Sequence, residues 1–253
     1  MPSSVEANRR LPLLIQTHNF TDNEFIPSGA YTTGMAAQVF AADGIIVLQI
    51  GGIASTCPNA TPGEAPCFVS GFEAAIHQLV VQGVVNPNEV GIIGFSRTGF
   101  HVMAAITTGS MHIKAALIAD SSTVNYTETT LGQGYALNDS IIGAPPIGSG
   151  LQRWLKQSPG FNADKITAAL MIAPNGMSVL SMWEPYSILH YLHKPVDLIM
   201  LNTDEHVITN PAERVASQGG SVDWFRFWLQ GYEDPSPMKR AQYKRWEALR
   251  GLR

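Results

Sequence analysis

Long hydrophobic runs are missing from this chain of 253 residues. No stretch reaches the ~20 consecutive apolar residues that a membrane-spanning helix requires, so no membrane span is expected. Charge is also sparse: 14% of residues are charged and the net charge is −4, the wrong sign and density for a nucleic-acid surface. The main basic concentration is Lys239, Arg240, Lys244, Arg245, Arg250 and Arg253. It is interleaved with Tyr243 and Trp246 and reads as the solvated side of an amphipathic helix end. Only two cysteines occur, without the spacing to a second pair that a structural zinc site needs. Cys57 and Cys67 flank a short loop, which can close as a disulfide in an oxidising compartment or stay a pair of free thiols. The polar segment Met1–Arg10 has no apolar signal-peptide core. Repeats, linkers and low-complexity tracts are lacking, which argues for one domain over residues 1–253.

What is present is a 45% apolar composition, enough for one large core, arranged as short apolar runs alternating with amphipathic segments. That alternation predicts βαβ units around a mostly parallel sheet with helices on both faces, an α/β fold. Strands are expected at Leu11–Thr17, Ile45–Ile50, Val90–Phe95, Ala115–Ala119, Ala168–Ala173 and Val196–Leu201. Helices are expected at Met35–Ala42, Val69–Gln82, Gly99–Thr108, Trp183–His193 and Pro211–Gln230, with Asn210 as cap and Pro211 in the first turn of the last. Residues 123–165 break the pattern and read as polar, glycine-rich stretches around one short helix at Leu151–Gln157. An insertion of this kind either covers a site or forms a surface loop.

The segment Gly94-Phe95-Ser96-Arg97-Thr98-Gly99 follows an apolar strand and opens a helix, the setting of a nucleophile elbow. Such a turn is too tight for a side chain at position 94, and the helix N-terminus aims backbone N–H groups at an oxyanion formed beside Ser96. The bland alternative is a strand-to-helix turn capped by a hydroxyl. A serine nucleophile needs a base. His77, His101, His112, His190 and His193 sit in or beside ordinary elements, whereas His206 lies in the loop Asn202-Thr203-Asp204-Glu205-His206 after the last strand, where an α/β-hydrolase carries its base.

The orienting acid is less direct. The strand before the histidine's ends in Pro174-Asn175-Gly176-Met177 without a carboxylate, and the next acid is Glu184. Ser181 and Glu184 also match a capping box with Pro185 at the helix start. Asp204 competes, but at two residues from His206 a carboxylate rarely approaches the ring nitrogen turned away from the serine, whereas Glu184 at a helix start near the sheet's carboxyl edge can reach an imidazole. Glu184 is therefore the expected acid. The oxyanion donors are expected from the Arg97 backbone N–H and from His18 or Asn19 in the loop after the first strand.

Leu11-Pro12-Leu13-Leu14-Ile15-Gln16-Thr17-His18 resembles the opening strand of the peptidase domain in the prolyl oligopeptidase family. Val39 to Val47 resembles the next helix and strand of that family, and Gly94 to Gly99 its elbow. The pattern departs at Thr98, where the family usually has glycine, and at the missing acid after the penultimate strand. Those departures, with Trp183-Glu184-Pro185-Tyr186, Glu205-His206-Val207 and Val222 to Trp228, resemble the lasso peptide isopeptidases, in which a glutamate replaces the usual acid. The resemblance implies an α/β-hydrolase fold with Ser96 as nucleophile, Glu184 as acid and His206 as base. It implies hydrolysis of the isopeptide that closes a threaded lasso peptide, no metal or other cofactor, and a β-propeller upstream, so that the chain reads as the C-terminal part of a longer protein. Two other readings stand beside it: an ordinary oligopeptidase or small-molecule esterase on the same fold, and a non-catalytic hydrolase-like binding module. The sequence assigns neither cytoplasm nor periplasm.

Overall fold

A computed structural model describes residues 10–18, 20, 24–26, 35–50, 53–132 and 134–252. Asn19 and Arg253, named above, lie outside these. Six parallel strands form one sheet: β1 (Leu11–Thr17), β2 (Ile46–Ile50), β3 (Val85–Phe95), β4 (Ala115–Ala119), β5 (Ala169–Ala173) and β6 (Val196–Leu198), in the order β2-β1-β3-β4-β5-β6. The helices are α1 (Ala37–Ala42), α2 (Ile53–Thr56), α3 (Glu64–Val81), α4 (Thr98–Thr108), α5 (Tyr126–Leu131), α6 (Tyr135–Ile142), α7 (Leu151–Gln157), α8 (Val179–Tyr191), α9 (Pro211–Phe225) and α10 (Arg240–Arg250). The chain order runs outward from β1 in one direction to β2 and in the other through β3 to β6. That reversal is the switch point beside which open α/β sheets place their sites.

Both sheet faces are covered, which is why the strands read as continuous apolar runs. Leu13, Ile15, Ile92, Ala116, Ile118, Leu170 and Ile172 face a core shared with Phe68 and Phe72 of α3, Val102 and Met103 of α4, and Met182 and Leu189 of α8. Their alternates Leu14, Ile93, Phe95, Leu117 and Met171 pack against Phe40 of α1, Trp224 and Phe225 of α9, and Tyr243 and Trp246 of α10. Burying each such side chain contributes roughly 1.5–3 kcal/mol. The basic tail is thus one side of a helix whose other side docks on the sheet. Asp197 on β6 accepts from Arg245 at 3.0 Å and from the Trp246 indole at 2.6 Å.

Two expectations are corrected, and one open alternative is decided. Residues 123–165 hold three α-helices, α5, α6 and α7, where one was expected. Helix α8 begins at Val179, so Pro185 lies inside it; the capping box at its approach is Asn175 with Ser178, and Ser181 and Glu184 form none there. A proline cannot donate to the carbonyl four residues back, here that of Ser181, and the Asn125 side-chain amide donates to it instead at 2.9 Å. Of the two states open to Cys57 and Cys67, the structure has the disulfide.

Candidate active site

Strand β3 delivers Ser96 to the carboxyl edge of the sheet in a turn whose backbone is left-handed at the serine, φ 55°. That conformation is costly for a residue with a side chain and persists only where its surroundings hold it. Ser96 N–H donates to Ala119 O at 3.1 Å, and Ser96 O accepts from Gly99 N and Ser122 N at 3.2 Å each. A Cβ at Gly94 would lie 2.7 Å from Thr98 O, and one at Gly99 would run into the Ser121 side chain. Both positions therefore require glycine. Thr98, the departure from the usual elbow, is used: its hydroxyl donates to Thr17 O at 2.6 Å and accepts from Phe95 N at 3.0 Å, tying the elbow to β1.

The loop after β6 brings His206 over this turn. Its Nε2 is 3.0 Å from Ser96 Oγ, and its ring stacks on Phe95 with centroids 4.7 Å apart. Its Nδ1 lies 2.5 Å from Asp120 Oδ2. Asp120 is the first residue after β4, itself left-handed at φ 38°, with its N–H on Ala173 O at 2.8 Å and its Oδ1 accepting from Asn175 N at 3.3 Å. Its side chain is 8% exposed while that of His206 is 54% exposed, so the carboxylate is sheltered and the imidazole faces solvent. An open cleft of about 480 Å³ lies over the three residues, walled by Arg97, Glu128, Leu137, Met177 and Asp204.

The acid expected at Glu184 is not the carboxylate beside His206. Glu184 projects from the second turn of α8 toward the start of α5, where it accepts the backbone N–H groups of Thr127 at 2.5 Å and Tyr126 at 3.3 Å. A carboxylate there satisfies amides that the first turn leaves without partners and complements the helix dipole. Asp204 lines the cleft without a described bond to the imidazole. The carboxylate that the structure places on the imidazole, Asp120, is not among the residues expected from the sequence. Its place directly after the expected strand Ala115–Ala119 is legible, but that this strand neighbours the elbow strand is not.

Of the expected oxyanion donors, Arg97 is the N-cap of α4, its backbone N–H next to the serine at the head of the helix. His18 stacks on Phe95 with centroids 5.6 Å apart, and burial lowers its pKa, with Glu24 opposing and His206 adding to the shift. Asn19 is outside the described residues. Among the described residues no group of three His, Cys, Asp or Glu side chains could hold a metal ion, and no helix is long and apolar enough to cross a membrane.

No protein-family model matches the chain. A search of curated proteins finds 31% identity over 190 residues with the lasso peptide isopeptidase AtxE2 of Asticcacaulis excentricus, covering 72% of this chain and 26% of that protein. Among solved structures, unliganded AtxE2 superposes with a TM-score of 0.82 at 26% identity, over 100% of this chain and 40% of that one. A serine-to-alanine variant of AtxE2 with Astexin3-dC4 bound gives 0.79 at 25%. The Pyrococcus horikoshii acylaminoacyl peptidase, at 17% identity and a TM-score of 0.69, shares the fold. The chain thus spans between a quarter and two fifths of the length of the relatives it matches.

Proposed function

The chain is a homologue of the lasso peptide isopeptidase AtxE2 with the catalytic-domain fold of the prolyl oligopeptidase peptidases, and on that footing we propose that it is a serine isopeptidase that opens the macrolactam ring of a lasso peptide. The observation that carries the reading is the unbroken relay Ser96 Oγ, His206 Nε2 and Nδ1, Asp120 Oδ2 on a strained turn at the carboxyl edge of the sheet. Three groups on three separate strand ends, joined at 3.0 and 2.5 Å, match the roles of nucleophile, base and orienting acid.

In this reading His206 Nε2 takes the Ser96 proton as the hydroxyl attacks the isopeptide carbonyl. Asp120 holds the ring in the tautomer that leaves Nε2 free and stabilises the imidazolium as it forms. The developing oxyanion lies at the head of α4, where the Arg97 N–H and the helix N-terminus favour negative charge. The imidazolium then protonates the departing amine, and water, deprotonated by the same nitrogen, hydrolyses the acyl-enzyme. The β-propeller implied by the family resemblance belongs to this reading as the wall opposite the cleft. The strain held at Ser96 favours a catalytic serine over a vestigial one.

The test is incubation with a threaded lasso peptide, a linear peptide of the same sequence and a small ester, read by mass spectrometry. Opening of the ring with the gain of one water, faster than cleavage of the linear peptide, is expected. Ester or linear-peptide turnover with an intact lasso ring would favour a general oligopeptidase or esterase.

A further inference from the structure

The elbow is held from two sides, and the relay explains only one of them. On the other side stands Glu64, the first residue of α3, 2% exposed. Its Oε1 accepts from Arg97 Nε at 3.0 Å and bonds His101 Nε2 at 2.8 Å. Its Oε2 accepts from Arg97 Nη2 at 2.5 Å and from Ala60 N at 2.6 Å. Arg97 Nη2 also reaches Asn59 Oδ1 at 3.0 Å. One buried carboxylate therefore grips the residue after the nucleophile by a two-pronged fork, and the next turn of α4 through His101, whose ring stacks on Phe68 of α3 at 3.7 Å. The Cys57–Cys67 disulfide closes the loop that supplies Asn59 and Ala60, with Cys67 in the first turn of α3.

We infer that Glu64 is a positioning residue for catalysis: through Arg97 it fixes the left-handed elbow, and the Cys57–Cys67 bridge holds Glu64 in place. The inference rests on the nucleophile assignment proposed above. A buried carboxylate so fully bonded is a rigid anchor, because moving it would strand several polar groups out of water. Only Arg97 among its partners belongs to the turn that carries Ser96, and a guanidinium fork fixes orientation where a single bond would leave a pivot. The strain at Ser96 needs such an anchor on the α3 side, since the ties to Ala119 and Ser122 restrain only the β4 side. The pairing also means that Arg97 faces the cleft with its charge compensated. Burial pushes the Glu64 carboxyl up, but the hydrogen bonds from His101, Arg97 and Ala60 outweigh it and hold the pKa at about 2.

The test measures the rate of Ser96 labelling by a fluorophosphonate, and kcat and KM for a small ester, in the wild type, Glu64→Gln, Arg97→Lys and the double variant Cys57→Ser/Cys67→Ser, each with its thermal midpoint. Labelling rate and kcat should fall about 10- to 100-fold in Glu64→Gln and Arg97→Lys, with KM within about twofold, because a small displacement of a nucleophile costs rate rather than ground-state binding. The double cysteine variant should show the same kcat-only loss, smaller in size. A purely structural anchor would lower the midpoint and leave labelling of the folded fraction unchanged. Wild-type labelling rates in folded Glu64→Gln, or in Arg97→Lys and the double variant where Glu64→Gln does not fold, would overturn the inference. Absence of labelling in the wild type would overturn the nucleophile assignment itself, and the inference with it.

Discussion

Asp120 Oδ2 lies 2.5 Å from Nδ1 of His206, and the two residues are 86 positions apart in sequence. The sheet creates this contact. β4, which ends at Ala119, neighbours the elbow strand β3, so the residue after it emerges one strand spacing from Ser96.

Asp120→Asn is expected to lower kcat by roughly 10³- to 10⁴-fold while leaving the fold intact, because an amide favours the wrong tautomer of the imidazole. Glu184→Gln should leave kcat within a few-fold and instead lower the thermal midpoint, since it weakens the cap of α5 by about 0.5–2 kcal/mol. Steady-state kinetics with a calorimetric scan of both variants checks this. The reverse pattern would restore Glu184 as the acid.

Ser96→Gly should abolish turnover and raise stability. The left-handed backbone at φ 55° is free for glycine and strained for serine, so roughly 1 kcal/mol of stability is expected on relief. Chemical denaturation checks the sign. An unchanged or lower midpoint with unchanged m-value would show that the elbow is not strained.

Asn125→Ala removes three bonds at once: the side-chain oxygen that accepts from Glu128 N at 2.7 Å, and the amide that donates to Thr123 Oγ1 at 2.5 Å and satisfies Ser181 O opposite Pro185. A loss of about 1–3 kcal/mol is expected. Adding Pro185→Ala should recover part of it, because alanine supplies the missing N–H from within α8. Denaturation of the single and double variants checks the coupling, and additive losses would contradict it.

Stability should decline on mild acidification. Burial lowers the His101 pKa from 6.5, with Glu64 opposing, so the unfolded chain takes up a proton before the folded one. Its contribution is complete above pH 6.5 and falls as pH drops below that value. Glu64, held at about 2 against 4.5, adds a second loss between those values. His101→Gln should flatten the fall in thermal midpoint between about pH 7 and pH 5, and an identical fall in the variant would contradict the assignment.

Strands β1 and β4 match their expected bounds to the residue; β4 is an apolar run buried on both faces and flanked by Lys114 and Asp120, and β1 begins after Arg10 and carries the polar Gln16 and Thr17 at its end. Ser96 and His206 are legible as candidates because a tight turn and the loop after the last strand are local patterns. Asp120 is not, since the order in which parallel strands lie decides which loop faces the imidazole, and no local pattern carries that order. Helices α5 and α6 are hidden for a related reason. Two of the bonds that start α5 come from Glu184, 57 and 58 residues away, rather than from its own composition. His101 reads as an ordinary helical histidine until the fold brings Glu64 to it.

Covalent capture by a fluorophosphonate, with the modified residue identified by peptide mass spectrometry, tests whether Ser96 is an activated nucleophile served by His206 and Asp120. One adduct per chain is expected, on Ser96, formed at a rate that collapses in His206→Ala and Asp120→Asn. An adduct elsewhere, or labelling of Ser96 undiminished in both variants, would contradict that role.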